Sequence, residues 1–244
     1  MDDLGLPQDV AQELVAFLEA AKGALGEDLV SAVLFGSAAE ARLRATSDVN
    51  LMLVLARFET GRIHALREPL RHARAAIRLE TMLILESELA AATEAFAVKF
   101  ADIRARHRVL AGHDVLAALA PSRGAMLGRL RQILLNFILR TRERYALVSL
   151  REEQLAALVA DAAGPLRSAA EIMLQLEGRP AASPKAALET LAREIDPQAW
   201  AEPLARLSQA REEGKLAPGA GGPTLLKLIE LAQALGARAD RISA

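Results

Sequence analysis

The chain has no cysteine among its 244 residues. That excludes a disulfide framework and any thiolate metal site, and it fits a reducing compartment. Aromatic residues are scarce, at 3 % against 52 % apolar residues overall. The core must therefore be built from Ala, Leu, Val and Ile, which favours closely packed helices. No run approaches the roughly eighteen apolar residues of a membrane-spanning helix. The opening MDDLGLPQDV is acidic and lacks the basic-then-apolar order of a secretory signal. A cytoplasmic protein without membrane contact is expected. Strong charge of one sign is missing too. The net charge is −1, divided as −4 up to Ala120 and +3 beyond it, too even for a basic nucleic-acid-binding domain. Histidine occurs only at positions 64, 72, 107 and 113. No His-rich or acidic cluster points to zinc or calcium, and no Ser/His/Asp arrangement is evident.

What is present falls into two halves. Helical spacing of Val10, Leu14, Phe17, Leu18 and Ala21 predicts a first helix from Pro7 to Leu25, closed by Gly23 and Gly26. A buried strand is predicted over Leu29–Phe35, a short Ala-rich helix over Ser37–Arg44, and a second strand over Asp48–Leu55. A helix follows from Arg57 to Ala76, with Pro69 predicting a kink or break. Its polar face carries Arg67, Arg71 and Arg74, with Arg78 in the same spacing. A third strand over Ile77–Leu85 alternates, placing Arg78, Glu80, Met82 and Ile84 on one face. Glu86–Thr93 reads as a short helix, and Phe96–Gly112 reads either as a strand or as a helix followed by a short strand. Ala120-Pro121-Ser122-Arg123-Gly124 is the expected boundary between domains 1–120 and 121–244. Beyond it strand signals stop. Helices are predicted over Met126–Ser149, Glu152–Leu176, Pro184–Glu194, Pro197–Glu213 and Pro223–Ile242. Their mostly short connections imply an antiparallel bundle. The glycine-rich stretch from Gly219 to Thr224 follows no strand and lacks the Gly-Lys-Ser/Thr ending of a phosphate loop. It reads as a flexible connection.

The chemistry concentrates between Leu29 and Leu55. Gly36-Ser37 follows a strand, where glycine lets the backbone approach an anion and Ser can donate to phosphate oxygens. Ser47-Asp48-Val49-Asn50 opens the next strand, and residues 48 and 50 point the same way. They could jointly hold Mg²⁺, which prefers carboxylate, phosphate and water oxygens.

GSAAEARLRATSDVNLMLVL resembles the nucleotidyltransferase signature of the DNA polymerase β superfamily. That signature is a Gly-Ser followed by Ser-Asp-x-Asp at the head of a hydrophobic strand. Twelve positions separate Gly36 from Asp48, as in small bacterial members. The resemblance covers roughly residues 10 to 118, and the helical half is similar in architecture to the C-terminal bundles of aminoglycoside nucleotidyltransferases. It implies an α+β chain, a small mixed-sheet domain followed by an all-α antiparallel bundle. It also implies a nucleoside triphosphate substrate in a cleft between the two, Mg²⁺ as cofactor, and a small-molecule or protein acceptor. Gly36, Ser37 and Ser47 would hold the nucleotide, and Asp48 would be catalytic and a metal ligand. Glu80 is the candidate third carboxylate, with Glu86 and Glu88 close enough to compete for the role.

The signature is not intact. Asn50 stands at the second Asp, Ala38 where a basic residue often follows the Ser, and Ala41 where a Gly often stands. Asn50 offers a carbonyl oxygen but no charge. A unit charge lost ~4 Å from a cation costs about 4 kcal/mol at an effective dielectric near 20, or roughly a thousandfold in rate if the transition state bears it. Three readings follow: a nucleotide-binding protein with weakened or lost catalysis, an active transferase, and a non-catalytic scaffold. Self-association stays open under each. Arg42, Arg44, Arg140 and Arg144 are further phosphate-binding candidates. Helical ribonuclease domains that accompany such domains carry an Arg and a His several residues apart. The predicted bundle has no histidine, which argues against that activity.

Overall fold

The computed structural model describes residues 5–41, 43 and 47–243. The chain divides into two compact units, one through Ser122 and one from Arg123. Each boundary residue is anchored in its own unit. The Ser122 N–H and hydroxyl both donate to Glu94 at 2.6 Å, while Arg123 donates to the carbonyls of Leu176 and Ser243.

The first unit is a four-stranded mixed sheet with helices on both faces. Helix α1 (Gln8–Leu25) leads to β1 (Leu29–Phe35), and β2 (Val49–Leu55) returns antiparallel beside it. Helix α2 (Thr60–Ile77) then carries the chain across to β3 (Leu79–Leu85), which runs parallel to β2. Helices α3 (Leu89–Ala95) and α4 (Ala97–Ala105) precede β4 (His107–Gly112), antiparallel to β1, and the strand order is β3-β2-β1-β4. Period-two alternation divides the core. Ala32, Leu34, Leu51, Leu53 and Leu55 pack with Leu14, Leu18, Leu66 and Ile77, on the side of α1 and α2. Val33, Phe35, Met52, Val54 and Ile84 pack with Leu89, Phe100 and Ile103, on the side of α3 and α4. Leu51, Leu53 and Leu55 are fully buried, each stabilising the unit by about 1.5–3 kcal/mol.

At one end of β1, the carboxylate of Asp28 is buried between Arg57 (2.8 Å) and Arg62 (3.1 Å), and its carbonyl accepts from the Ala56 N–H. This ties the entry of β1 to the exit of β2. Arg62 also donates to the Leu25 carbonyl. Glu59 caps α2, accepting from the N–H groups of Gly61 and Arg62, and these bonds hold its carboxyl below the ordinary value.

Several predicted elements end differently. The helix expected over Ser37–Arg44 is a 3-10 turn at Gly36–Ala38, with Ala41 at φ +56°. Residues 42 and 44–46 lie outside the described residues. Helix α2 runs unbroken through Pro69, and Ile77 closes it rather than opening β3. The region from Phe96 to Gly112 is a helix followed by a short strand, one of the two readings its sequence allowed.

The second unit is helical: α5 (Arg123–Val148), α6 (Glu152–Leu176), α7 (Pro184–Ile195), α8 (Pro197–Glu213) and α9 (Gly221–Ala239). Local chemistry sets the ends. Ser183 and Asp196 cap α7 and α8 through their side-chain oxygens, with Pro184 and Pro197 at the first helical position. Gly214 ends α8 in the left-handed conformation. Gly221 explains part of the glycine-rich stretch by packing: a Cβ there would lie 2.8 Å from the Leu155 Cβ. An ionic cluster joins the end of α6 to α7 and α9. Arg238 grips Glu177 through two bonds of 2.7 Å and meets Glu194 at 2.9 Å, while Arg179 engages both glutamates. Among the described residues, no helix is long and apolar enough to cross a membrane.

Candidate functional site

The motif residues converge at the end of the sheet where β1 finishes and β2 and β3 begin. Gly36 leaves β1 with φ +73°, a conformation that strains any residue with a Cβ. Its N–H donates to the Arg106 carbonyl at 3.2 Å, and its carbonyl accepts from Ala39 at 3.1 Å, closing the turn that carries half-buried Ser37. Among the described residues other than its chain neighbours, a Cβ at Gly36 would meet one atom within 4 Å, the amide nitrogen of Asn50 at 3.8 Å. The open side of the turn therefore faces Asn50.

Strand register places the other candidates. Asn50 pairs with Phe35 on β1 and with Glu80 on β3, and Phe35 pairs in turn with His107 on β4. Directly paired residues share a face. Glu80, Asn50, Phe35 and His107 thus form a row across the sheet on the α3 and α4 side. The Asn50 amide donates to the Asp48 carbonyl at 3.4 Å. Asp48 and half-buried Ser47 lie just before β2. Of the competing carboxylates, Glu88 accepts from the Leu85 N–H at 2.9 Å and so caps its own helical turn. Glu80 is the one beside Asn50.

Two arginines beside this site carry no functional expectation from the sequence, where Arg74 belongs to a polar helix face and Arg78 to that spacing and to the Glu80 face of the third strand. Arg78 Nε meets Asp48 Oδ1 at 2.9 Å, and Arg74 Nη2 meets Glu80 Oε1 at 2.9 Å. The guanidiniums come from the last turn of α2 and the residue that caps it. Both pairs are about half exposed, and such pairs contribute about 0–1 kcal/mol each to stability. Their larger effect is on charge: among the described residues, the two guanidiniums balance the two carboxylates and Asn50 adds none. On the far side of Phe35, His107 Nε2 lies 3.3 Å from Asp114, and its Nδ1 is 2.9 Å from the Arg104 carbonyl. The Asp114 carboxyl is partly desolvated, which raises its pKa. The Leu116 N–H and His107 outweigh this and hold it below the ordinary value.

Metal chemistry of the paired-ion type needs converging anionic oxygens. Among the described residues, no three His, Cys, Asp or Glu side chains gather closely enough to hold an ion. Asp48 and Glu80 each face a guanidinium, and Asn50 adds no charge. This donor set does not fit a two-metal centre.

Arg140 and Arg144 line a groove of about 650 Å³ between α5 and α6, where Arg144 meets Asp161 at 3.1 Å. Arg42 and Arg44 lie outside the described residues.

The mixed sheet, its crossover and the Gly36 turn, followed by a helical unit, define the fold of a nucleotidyltransferase domain with a helical C-terminal region. No family model matches the chain, and comparison with curated proteins finds no match. Among solved structures it is similar to spectinomycin adenyltransferase AAD(9) from Enterococcus faecialis, determined with ATP and spectinomycin. The two are 13 % identical, the match covers 92 % of this chain and 98 % of that one, and the TM-score is 0.51. A likeness at this identity establishes the fold.

Proposed function

We propose that the first unit binds a nucleoside triphosphate through the Gly36–Ser37 turn, with nucleotidyl transfer weakened or lost. The observation that carries this reading is Asn50. It stands against the open face of the turn and beside Glu80, at the position where the resemblance implies a metal-binding carboxylate. The turn supplies backbone N–H groups and the Ser37 hydroxyl to phosphate oxygens, while the charge needed to hold two ions is missing. The cytoplasm, where nucleoside triphosphates abound, suits a chain without cysteine.

The test is to incubate the protein with each labelled nucleoside triphosphate and Mg²⁺ or Mn²⁺, following binding, self-labelling and pyrophosphate release. Binding without release is expected. A ligand present at a hundred times its Kd raises stability by about 2.7 kcal/mol, so a thermal shift reads binding directly. Release that vanishes in Asp48→Ala would overturn the loss of catalysis. A second reading, active transfer to a small-molecule acceptor, is favoured by the solved neighbour that carries ATP and spectinomycin. Adding spectinomycin to the same assay tests it. No thermal shift with any nucleotide would leave a scaffold role instead.

A further inference from the structure

We infer that Arg74 and Arg78 are the resident cations of this site, so that it takes the phosphates of a metal-free nucleoside triphosphate. The inference rests on the nucleotide-binding reading above and adds the form of the nucleotide that is bound.

Three observations converge on it. The carboxylates a divalent ion would need are each met by a guanidinium at 2.9 Å, Asp48 by Arg78 and Glu80 by Arg74. A metal entering between them would have to displace both arginines or share oxygens with two fixed positive charges. Asn50, between the two carboxylates, has no charge with which to favour the metal. Among the described residues, Arg74 and Arg78 balance Asp48 and Glu80 one for one, and each guanidinium has five N–H donors for further acceptors.

The second observation is conformational. Arg78 sits at φ +53°, ψ +42°, one of two non-glycine residues with positive φ among those described. Glycine would adopt that backbone without strain, whereas a residue with a Cβ is strained there. The same residue accepts from the Val49 N–H through its carbonyl at 3.2 Å and donates its own N–H to the Ala73 carbonyl. Its guanidinium is therefore carried on a backbone fastened to both α2 and the start of β2. A strained residue retained where its side chain meets the site implies that the side chain is used there.

The third observation is continuity. The side-chain direction of Gly36 faces the Asn50 amide, that amide donates to the Asp48 carbonyl at 3.4 Å, and the Asp48 carboxylate meets Arg78 at 2.9 Å. Phosphates received at the turn are thus placed next to the arginines. A guanidinium fork matches phosphate oxygens bidentately.

The experiment measures the affinity of ATP, GTP, CTP and UTP by calorimetry, in EDTA and in excess Mg²⁺. The expected result is binding in EDTA at least as tight as in Mg²⁺. Arg74→Gln with Arg78→Gln should weaken the EDTA affinity roughly tenfold, the loss of two exposed charge contacts, and the lysine pair should restore part of it. A wild-type protein that binds only with Mg²⁺ would overturn the inference while leaving nucleotide binding intact. Unchanged EDTA affinity in the glutamine variant would overturn it as well. Mn²⁺ alone, followed by electron paramagnetic resonance, needs no variant: sub-millimolar binding to the wild type would also sink it. If none of the four nucleotides binds in either buffer, the underlying reading fails and the inference falls with it.

Discussion

Asn50→Asp is the perturbation that most directly separates a lost metal site from one that never depended on this position. The two side chains are isosteric, so packing is unchanged. The hydrogen bond from the Asn50 amide to the Asp48 carbonyl, long at 3.4 Å, is lost at a cost of under ~1 kcal/mol. The new carboxylate stands beside Glu80 on the neighbouring strand. Like charges ~6 Å apart at half-buried position 50 and exposed Glu80 repel by about 0.7–3 kcal/mol for dielectrics between about 80 and 20, and Arg74 and Arg78 return attraction of similar size. Without metal the variant should therefore melt about 3–6 °C lower, for a net loss near 1 kcal/mol in a domain of this size. A divalent ion reverses the sign. At ~4 Å and an effective dielectric near 20, the added carboxylate contributes about 4 kcal/mol per unit of metal charge, roughly a thousandfold in affinity. The assay is a melting curve of each protein against Mg²⁺ concentration, paired with pyrophosphate release in the presence of nucleotide. Stabilisation by Mg²⁺ should appear in Asn50→Asp and be absent in the wild type. Equal stabilisation of both proteins, or wild-type release as fast as the variant's, would refute the argument from charge.

Three further outcomes follow from features outside the site. Asp28→Ala removes a buried carboxylate from between Arg57 and Arg62 and should destabilise the first unit by about 2–3 kcal/mol, read as a lower urea midpoint. Gly221→Ala drives a Cβ to 2.8 Å from that of Leu155, and the overpacking should cost about 1–3 kcal/mol in the same measurement on the second unit. The carboxyl of Glu194 is held below its ordinary value of 4.5, chiefly by the hydrogen bond from Arg179, against partial burial and with help from Arg238. Because the folded pKa is the depressed one, its stabilisation is complete above pH ~4.5 and is lost as pH falls through the lowered value. Glu194→Gln should be less stable than the wild type at pH 7 by under ~1 kcal/mol after solvent screening, and the two should converge once the pH falls below the lowered value.

The elements that the sequence disclosed were those whose periodicity coincides with their burial. The alternation of β2 and the capping residues of α7 and α8 act locally, and their boundaries follow from the residues themselves. The alanines after Gly36 favour a helix, whereas the positive φ values of Gly36 and Ala41 close a tighter turn. The spacing of Gly36, Asp48 and Asn50 pointed to one end of the sheet, and Glu80 came from the alternation of β3. The arginine partners were invisible for a different reason. Arg74 and Arg78 repeat at the spacing of any solvated helix face. Only the parallel pairing of β3 with β2, and the left-handed cap at Arg78, bring them against Asp48 and Glu80. Those are tertiary facts with no local signature.

The crossover from β2 through α2 to β3 also determines which end of a helix the site meets. Asp48, Asn50 and Glu80 lie at the amino ends of β2 and β3, where α2 arrives with its carboxyl terminus. Aligned peptide dipoles give such a terminus about half a negative charge. Many phosphate sites are set at the opposite, positive end of a helix. Here the backbone potential by itself would repel a triphosphate. The two arginines in and just after the last turn of α2 invert that potential where the repulsion is greatest. A variant without the two guanidiniums would leave the helix terminus and the carboxylates of Asp48 and Glu80 facing the phosphates together, and the local field would turn negative.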